Sequence, residues 1–190
     1  MNYITFDIET YSPADLKKID TKEFRVSVAG AYVSWLDEYI AFVEEDVVDL
    51  IDLMTKAELV VGFNHKWFDL PVMQKYTSLN LNELPSYDIL LEVEKKVGFK
   101  IKLDDLCRAN FGGDVKTDSY STYKNYHKEK KWFELIDYCL NDVRLTEKLF
   151  RMCLEKKQLS YFDLHQKKEI LLDTPRPGIL ISALQMNSIF

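Results

Sequence analysis

Tyr3-Ile4-Thr5-Phe6-Asp7-Ile8-Glu9 alternates with a period of two, and its reading decides the fold. The alternation predicts a strand. Successive side chains on a strand point to opposite faces, so Asp7 and Glu9 share one. Working outward, residues 25–35, with Val26, Val28, Ala31, Tyr32 and Val33, predict a second strand. Tyr39-Ile40-Ala41-Phe42-Val43 predicts a third, joined to it by a turn around Leu36-Asp37-Glu38. Val47, Leu50, Ile51 and Met54 then recur at helical spacing and predict an amphipathic helix.

Leu59-Val60-Val61-Gly62-Phe63 is wholly apolar, as a central strand covered on both faces is expected to be. Pro71 suits the first turn of a helix over residues 70–76. Tyr87-Asp88-Ile89-Leu90 reads equally as a last short strand or as a helix start. Residues 103–111 predict a helix closed by Gly112-Gly113, residues 114–125 a polar loop or lid, and residues 132–154 one long helix. Three antiparallel strands followed by alternating helix and strand give an α/β fold with a mixed central sheet. The first and fourth strands are expected side by side, with Asp7 and Glu9 near the loop that carries Asn64 and Asp69. After Glu155 the pattern changes. Leu159-Ser160-Tyr161-Phe162-Asp163 and Glu169-Ile170-Leu171-Leu172 predict a hairpin turning over residues 164–168, followed by a linker and a weakly patterned tail. The expected division is one domain over residues 1–155 and a C-terminal extension over 156–190.

A chain of 190 residues suffices for one well-buried core and not for two ordinary domains. Apolar residues at 47% and charged residues at 29% are the composition of a soluble globular protein. Cys107, Cys139 and Cys153 are odd in number and lack metal-type spacing, which argues against a disulfide framework and for reduced thiols in the cytoplasm. The amino terminus lacks the basic and apolar regions of a secretory signal, and no apolar run reaches the roughly 18 residues of a membrane span. A net charge of −6 disfavours a polyanion partner unless divalent cations neutralise an acidic site. Lys95, Lys96, Lys100 and Lys102, then Lys124, Lys128, Lys130 and Lys131, form local basic stretches that read either as solvated surface or as phosphate contacts.

Asp7, Glu9, Asp69 and Asp142 are each planted in an apolar segment. Carboxylates in such places are expensive to bury unless a shared cation compensates them, and all-oxygen ligands suit a hard cation, so the pattern points to phosphodiester chemistry. Leu135, Tyr138, Asp142, Leu145 and Leu149 fall on one helical stripe, and Tyr138 and Asp142, one turn apart, reach the same site. Ordinary roles compete with each residue singly. Asp69 can cap the helix before Pro71, Glu9 can be a solvated strand end, Asp142 can pair with Arg144 or Lys148, and Asn64 can serve a turn. Four such coincidences together are the weaker account. His65, His127 and His165 have no partner at ligand spacing and are expected at the surface. Of Phe63, Trp67 and Phe68 at least two are expected in the core; Tyr120, Tyr123 and Tyr126 are the better base-stacking candidates.

Asp7-x-Glu9, Asn64-x-x-x-Phe68-Asp69 and Tyr138-x-x-x-Asp142, in that order, resemble the three signatures of the four-carboxylate (DEDD) 3′→5′ exonucleases, tyrosine subclass. That superfamily has the ribonuclease H-like fold and includes polymerase proofreading domains. The resemblance spans residues 1–155. Leu103-Asp104-Asp105-Leu106 and Tyr138-Cys139-x-x-Asp142-Val143-x-Leu145-Thr146 look most like stand-alone or helicase-associated members. It implies a ribonuclease H-like, mixed five-stranded central sheet flanked by helices. It also implies a catalytic set of Asp7, Glu9, Asp69, Tyr138 and Asp142, whose four carboxylates hold two divalent cations, Mg²⁺ or Mn²⁺. Asp7 would bridge both ions, Glu9 and Asp142 would complete one coordination sphere, and Asp69 would act on the other. Tyr138, with an ordinary pKa near ~10, would position the attacking water more than deprotonate it. Asn64, in the second signature, would contact the substrate; Lys116, after Gly112-Gly113-Asp114-Val115, reads either as a phosphate contact or as a solvated loop lysine. The implied reaction is hydrolysis of single-stranded or frayed 3′ ends to nucleoside monophosphates, with nucleic acid as partner, a polymerase or helicase as protein partner, and no membrane. A structure-specific endonuclease with the same metal core, and a catalytically silent nucleic-acid-binding module, are the alternatives.

Overall fold

The computed structural model describes residues 1–12, 20–112, 126–164 and 166–173. Strands β1 (Tyr3–Tyr11), β2 (Arg25–Val33) and β3 (Glu38–Val43) form an antiparallel meander, to which β4 (Leu59–Gly62) and β5 (Ser86–Asp88) add in parallel. The sheet order is β3-β2-β1-β4-β5, so the mixed five-stranded sheet and the adjacency of the first and fourth strands are as expected. Helices flank it among the described residues: α1 (Val47–Lys56), α2 (Asp69–Met73), α3 (Ile89–Val97), α4 (Leu103–Phe111) and α5 (Trp132–Lys156). A separate hairpin, β6 (Gln158–Asp163) with β7 (Gln166–Leu171), follows α5. Among the described residues no helix is long and apolar enough to cross a membrane.

The period of β1 divides its side chains between two cores. Ile4, Phe6 and Ile8 pack with Leu50, Ile51 and Met54 of α1 and Leu70, Val72 and Met73 of α2. Tyr3 faces the other way, into a core with Val61, Leu106, Val143, Leu149 and Phe150. Its ring meets Phe150 edge-on at 4.9 Å, and its hydroxyl donates to the buried Glu147 at 3.0 Å. Asp7 and Glu9 continue this α5-facing register, so the carboxylates lie where the apolar contact between β1 and α5 gives out. Gly30 stands opposite Asp7 in the β1–β2 register. A Cβ at Gly30 would lie 3.1 Å from Cys139 Sγ and Leu140 Cδ2 and 3.2 Å from Val143 Cγ2, so the glycine lets α5 approach the sheet closely at Asp7.

The structure departs from the local reading at three places. Residues 87–90 hold both alternatives at once: β5 ends at Asp88 and α3 begins at Ile89, with the Asp88 carboxylate accepting from Leu91 N–H at 3.3 Å as an N-cap. The helix expected over 70–76 is α2 followed by a 3-10 turn over Gln74–Tyr76. There the Gln74 amide donates to the carbonyls of Thr77 and Leu79 and accepts from Leu81 N–H. The second hairpin strand starts at Gln166, inside the expected turn, because Asp163 pairs with Gln166 and Leu164 adopts a left-handed φ of 56°. The polar Gln166, Lys167 and Lys168 are exposed on that strand, so hydrophobic period carried no trace of it.

Candidate metal centre

The side chains of Asp7 and Glu9 on β1 and Asp142 on α5 each offer an oxygen within 4.8 Å of the others. Glu9 and Asp142 are buried and Asp7 is half-buried. The seam that holds them is tight. Cys139, fully buried one turn before Val143, donates its thiol to the Asp7 carbonyl at 3.5 Å. Tyr138 is buried one turn before Asp142 on the same stripe of α5. Both basic neighbours of Asp142 make contacts elsewhere. Arg144 pairs with Asp137 at 3.8 Å, and Lys148 lies over the Phe111 ring at 5.0 Å. Glu9 is no solvated strand end either, being 6% exposed.

Asp69 is outside that trio and touches it through the backbone. It opens α2, whose first turn has no side-chain cap. Its Oδ1 instead accepts from Ile8 N–H at 3.3 Å, between Asp7 and Glu9. That N–H is available because β4 pairs with β1 only over Tyr3, Ile4 and Thr5. Burial pushes the Asp69 carboxyl up to about 7, against the hydrogen bonds from its own N–H and from Ile8. Cys139 registers all four carboxylates. Burial first, then the negative charges of Asp7, Glu9, Asp142 and Asp69, hold its thiol far above the ordinary value.

The Asn64 loop is built on a residue that motif spacing did not single out. Asp88, 2% exposed, accepts from Asn64 N–H at 2.9 Å and from Lys66 N–H at 3.1 Å. This bracket holds Asn64 at a left-handed φ of 67°. The readable signal was an aspartate just ahead of the apolar run Ile89-Leu90-Leu91, which is a helix N-cap pattern. His65, expected at the surface, is 1% exposed. Gly62 makes the room, because a Cβ there would come within 2.8–2.9 Å of the histidine. Its ring meets Phe6 edge-on at 5.6 Å, and Nδ1 stands 3.5 Å from Asp88 Oδ2. Burial pushes the imidazole down to about 4.

His127 is likewise packed and not free on the surface: it stacks on Tyr11 at 4.2 Å and meets Trp132 edge-on at 5.3 Å. Phe63 and Phe68 pack against the two cores, while Trp67 is 67% exposed. Tyr126 packs against Val28, Leu135 and Cys139. Lys116, Tyr120, Tyr123 and His165 lie outside the described residues.

Residues 4–154 match the RNase_H_2 model of the RNase_H superfamily, which is most of the chain. The chain belongs to the RNase H superfamily. Its fold is similar to that of the family B DNA polymerase from the hyperthermophilic archaeon Pyrobaculum calidifontis, with a TM-score of 0.59 and 18% identity over 80% of this chain. The chain spans 24% of that polymerase, and at this identity the likeness shows the fold alone. No curated protein matches the chain.

In this RNase H superfamily member the donor set is wholly carboxylate oxygen, which suits a hard divalent cation and not a thiolate-seeking metal. Three carboxylates converging at the end of an apolar seam fit such an ion, because a cation relieves both their mutual repulsion and their burial.

The shifts at His65 and Asp69 act on stability in opposite directions. Folding releases the His65 proton between pH 6.5 and about 4, so its contribution is lost as pH falls through that window. Folding favours protonation of Asp69 between pH 3.8 and about 7, so its contribution grows as pH falls. In the metal-free protein the two offset each other near about pH 5. Asp69→Asn removes the second while its amide oxygen still accepts from Ile8. In chelator the variant is expected to lose stability on acidification from pH 6.5 to about 4 more steeply than wild type, by up to about 1.4 kcal/mol per pH unit. Thermal unfolding across that range is the measurement, and superimposable wild-type and variant profiles would contradict it.

Proposed function

We propose that the chain is a metal-dependent 3′→5′ exonuclease of the DEDD tyrosine subclass, acting on single-stranded or frayed ends and releasing nucleoside monophosphates. The observation that carries this is the convergence of Asp7, Glu9 and Asp142. Membership of the RNase H superfamily supports a nuclease, and the order of the three signatures supports the subclass and the polarity. We take residues 1–155 as the catalytic domain, with nucleic acid as partner.

Asp7, Glu9 and Asp142, with Asp69 alongside, would hold two divalent cations, which when bound supply Lewis acidity at the phosphate and an acidified water. Tyr138 would orient that water from the helix face it shares with Asp142. Asn64 Oδ1 is buried without a hydrogen-bond partner among the described residues, and would accept from a sugar hydroxyl or base of the terminal nucleotide. Trp67, exposed on the same loop, offers a plane for a terminal base.

The test is incubation of 5′-labelled single-stranded DNA and RNA with Mg²⁺ or Mn²⁺, beside chelator and Asp7→Ala. A ladder shortening from the 3′ end, absent in both controls, is expected. Internal cuts with the same dependence would replace the reading with the endonuclease, and metal-independent binding without cleavage with the silent module.

A further inference from the structure

We propose that the groove between the α3–α4 turn and the β6–β7 hairpin binds a single-stranded stretch of the nucleic-acid substrate remote from the carboxylate cluster. This rests on the nucleic-acid reading above and adds a second contact to it. The groove encloses ≈ 610 Å³. Phe99, Lys100 and Lys102 line it from the α3–α4 turn, Arg108 from α4, and Phe162 and Leu164 from the hairpin.

Three features fit a single strand. The first is charge: in a chain of net charge −6, the lining carries three cationic side chains against one carboxylate, Asp105, which Arg108 already engages at 3.0 Å. Of the lysine stretch 95–102, Lys95 pairs with Glu92 and Lys96 with Asp173. Among the described residues Lys100 and Lys102 have no such partner, and both are exposed at the groove. Lys167, exposed and opposite Phe162 in the hairpin register, adds a further cation.

The second is the pair of rings. Phe99 is 47% and Phe162 48% exposed, an arrangement of aromatic planes beside cations that takes bases and phosphates together. Phe99 is steadied by an edge contact with Tyr161 at 5.9 Å.

The third is that the wall is fixed in place. Leu159 and Ile170 anchor the hairpin in the core, and the Asn110 side chain bonds both Ser160 N–H and Ser160 C=O at 2.8 Å. The hairpin lies beyond the residues matched to the family. It starts past the end of α5, and the helix between Asp142 and Lys156 rises about 21 Å. None of the residues lining the groove belongs to the carboxylate cluster.

The test measures binding of a labelled single strand of about 20 nucleotides to the full chain in chelator, by fluorescence anisotropy over a salt series. Phe162→Ala is expected to weaken binding at least about fivefold, with Phe162→Trp restoring it. Lys100→Gln with Lys102→Gln is expected to flatten the slope of log affinity against log salt by about 1.4. Cleavage of a trinucleotide with Mg²⁺ is expected to stay at the wild-type rate in all three variants. If the wild type cleaves nothing yet these binding losses appear, the catalytic reading fails and the groove stands. Wild-type affinity in every variant, equal losses in Phe162→Ala and Phe162→Trp, or capture of an acidic phenylalanine-ended peptide in place of the strand would overturn the proposal.

Discussion

Asp7→Asn is expected to abolish hydrolysis and at the same time to stabilise the metal-free protein. The substitution keeps the shape of the side chain and leaves the Asp7 carbonyl, which accepts from the Cys139 thiol, untouched. Its main effect is therefore the loss of one negative charge from the cluster. Two like charges within 4.8 Å repel by at least about 3 kcal/mol at an effective dielectric near 20, and Asp7 belongs to two such pairs. Asp7 is only half-buried, so solvent screens much of this, and a gain of about 1 kcal/mol, or roughly 2–4 °C in Tm, is the expected size. The wild type recovers more than that when a cation binds: saturation a hundredfold above Kd adds about 2.7 kcal/mol. Without Asp7 this linked stabilisation is expected to vanish, and turnover to fall by at least about 10³-fold. Unfolding scans with and without Mn²⁺, beside the cleavage assay, separate the two effects. A variant that unfolds like wild type in chelator and still gains the full Mn²⁺ shift would place Asp7 outside any cation site.

Opposite changes in stability and activity from one atom-for-atom substitution identify a group selected for chemistry and not for the fold. That distinction also separates what was legible in the sequence from what was not. The period of β1 announced both a strand and the common face of Asp7 and Glu9, because alternation is local. The stripe Leu135, Tyr138, Asp142 and Leu149 placed Asp142 correctly for the same reason. Gly30 was silent, since its importance depends on lying opposite Asp7 in β2 and beneath α5, two long-range facts. Asp69 looked like a helix cap because Pro71 is its neighbour, whereas its actual donor, Ile8 N–H, is 61 residues away. His65 was misplaced because nothing local says that Gly62 leaves a hollow for its ring. A three-residue strand such as β5 is too short to show any period, so only its boundary with α3, marked by Asp88, was open to reading.

Asp88→Ala is accordingly expected to be the most destabilising single change in the neighbourhood of the site. Asp88 accepts from three backbone donors, Asn64 at 2.9 Å, Lys66 at 3.1 Å and Leu91 at 3.3 Å, and so ties the loop after β4 to the first turn of α3. Truncation removes an N-cap, worth about 1 kcal/mol, and leaves two further N–H groups without their charged acceptor, at about 1–3 kcal/mol each. The losses are shared and do not add in full. A net cost of about 3 kcal/mol or more, a fall of roughly 6–12 °C in Tm, is the expected result. Asp88→Asn should lie between the two. One oxygen still serves Asn64 and Leu91, while an amide in place of Oδ2 meets Lys66 N–H donor to donor. Hydrogen exchange gives the decisive readout. The amides of Asn64 and Lys66 are expected to lose protection in Asp88→Ala well beyond the global change, because it is their own acceptor that has gone. Among the described residues the Asn64 N–H is bound by Asp88 alone, so the loop, held at φ 67°, relaxes as the carboxylate leaves. If protection falls only in step with global stability, the carboxylate caps α3 and does not brace the loop.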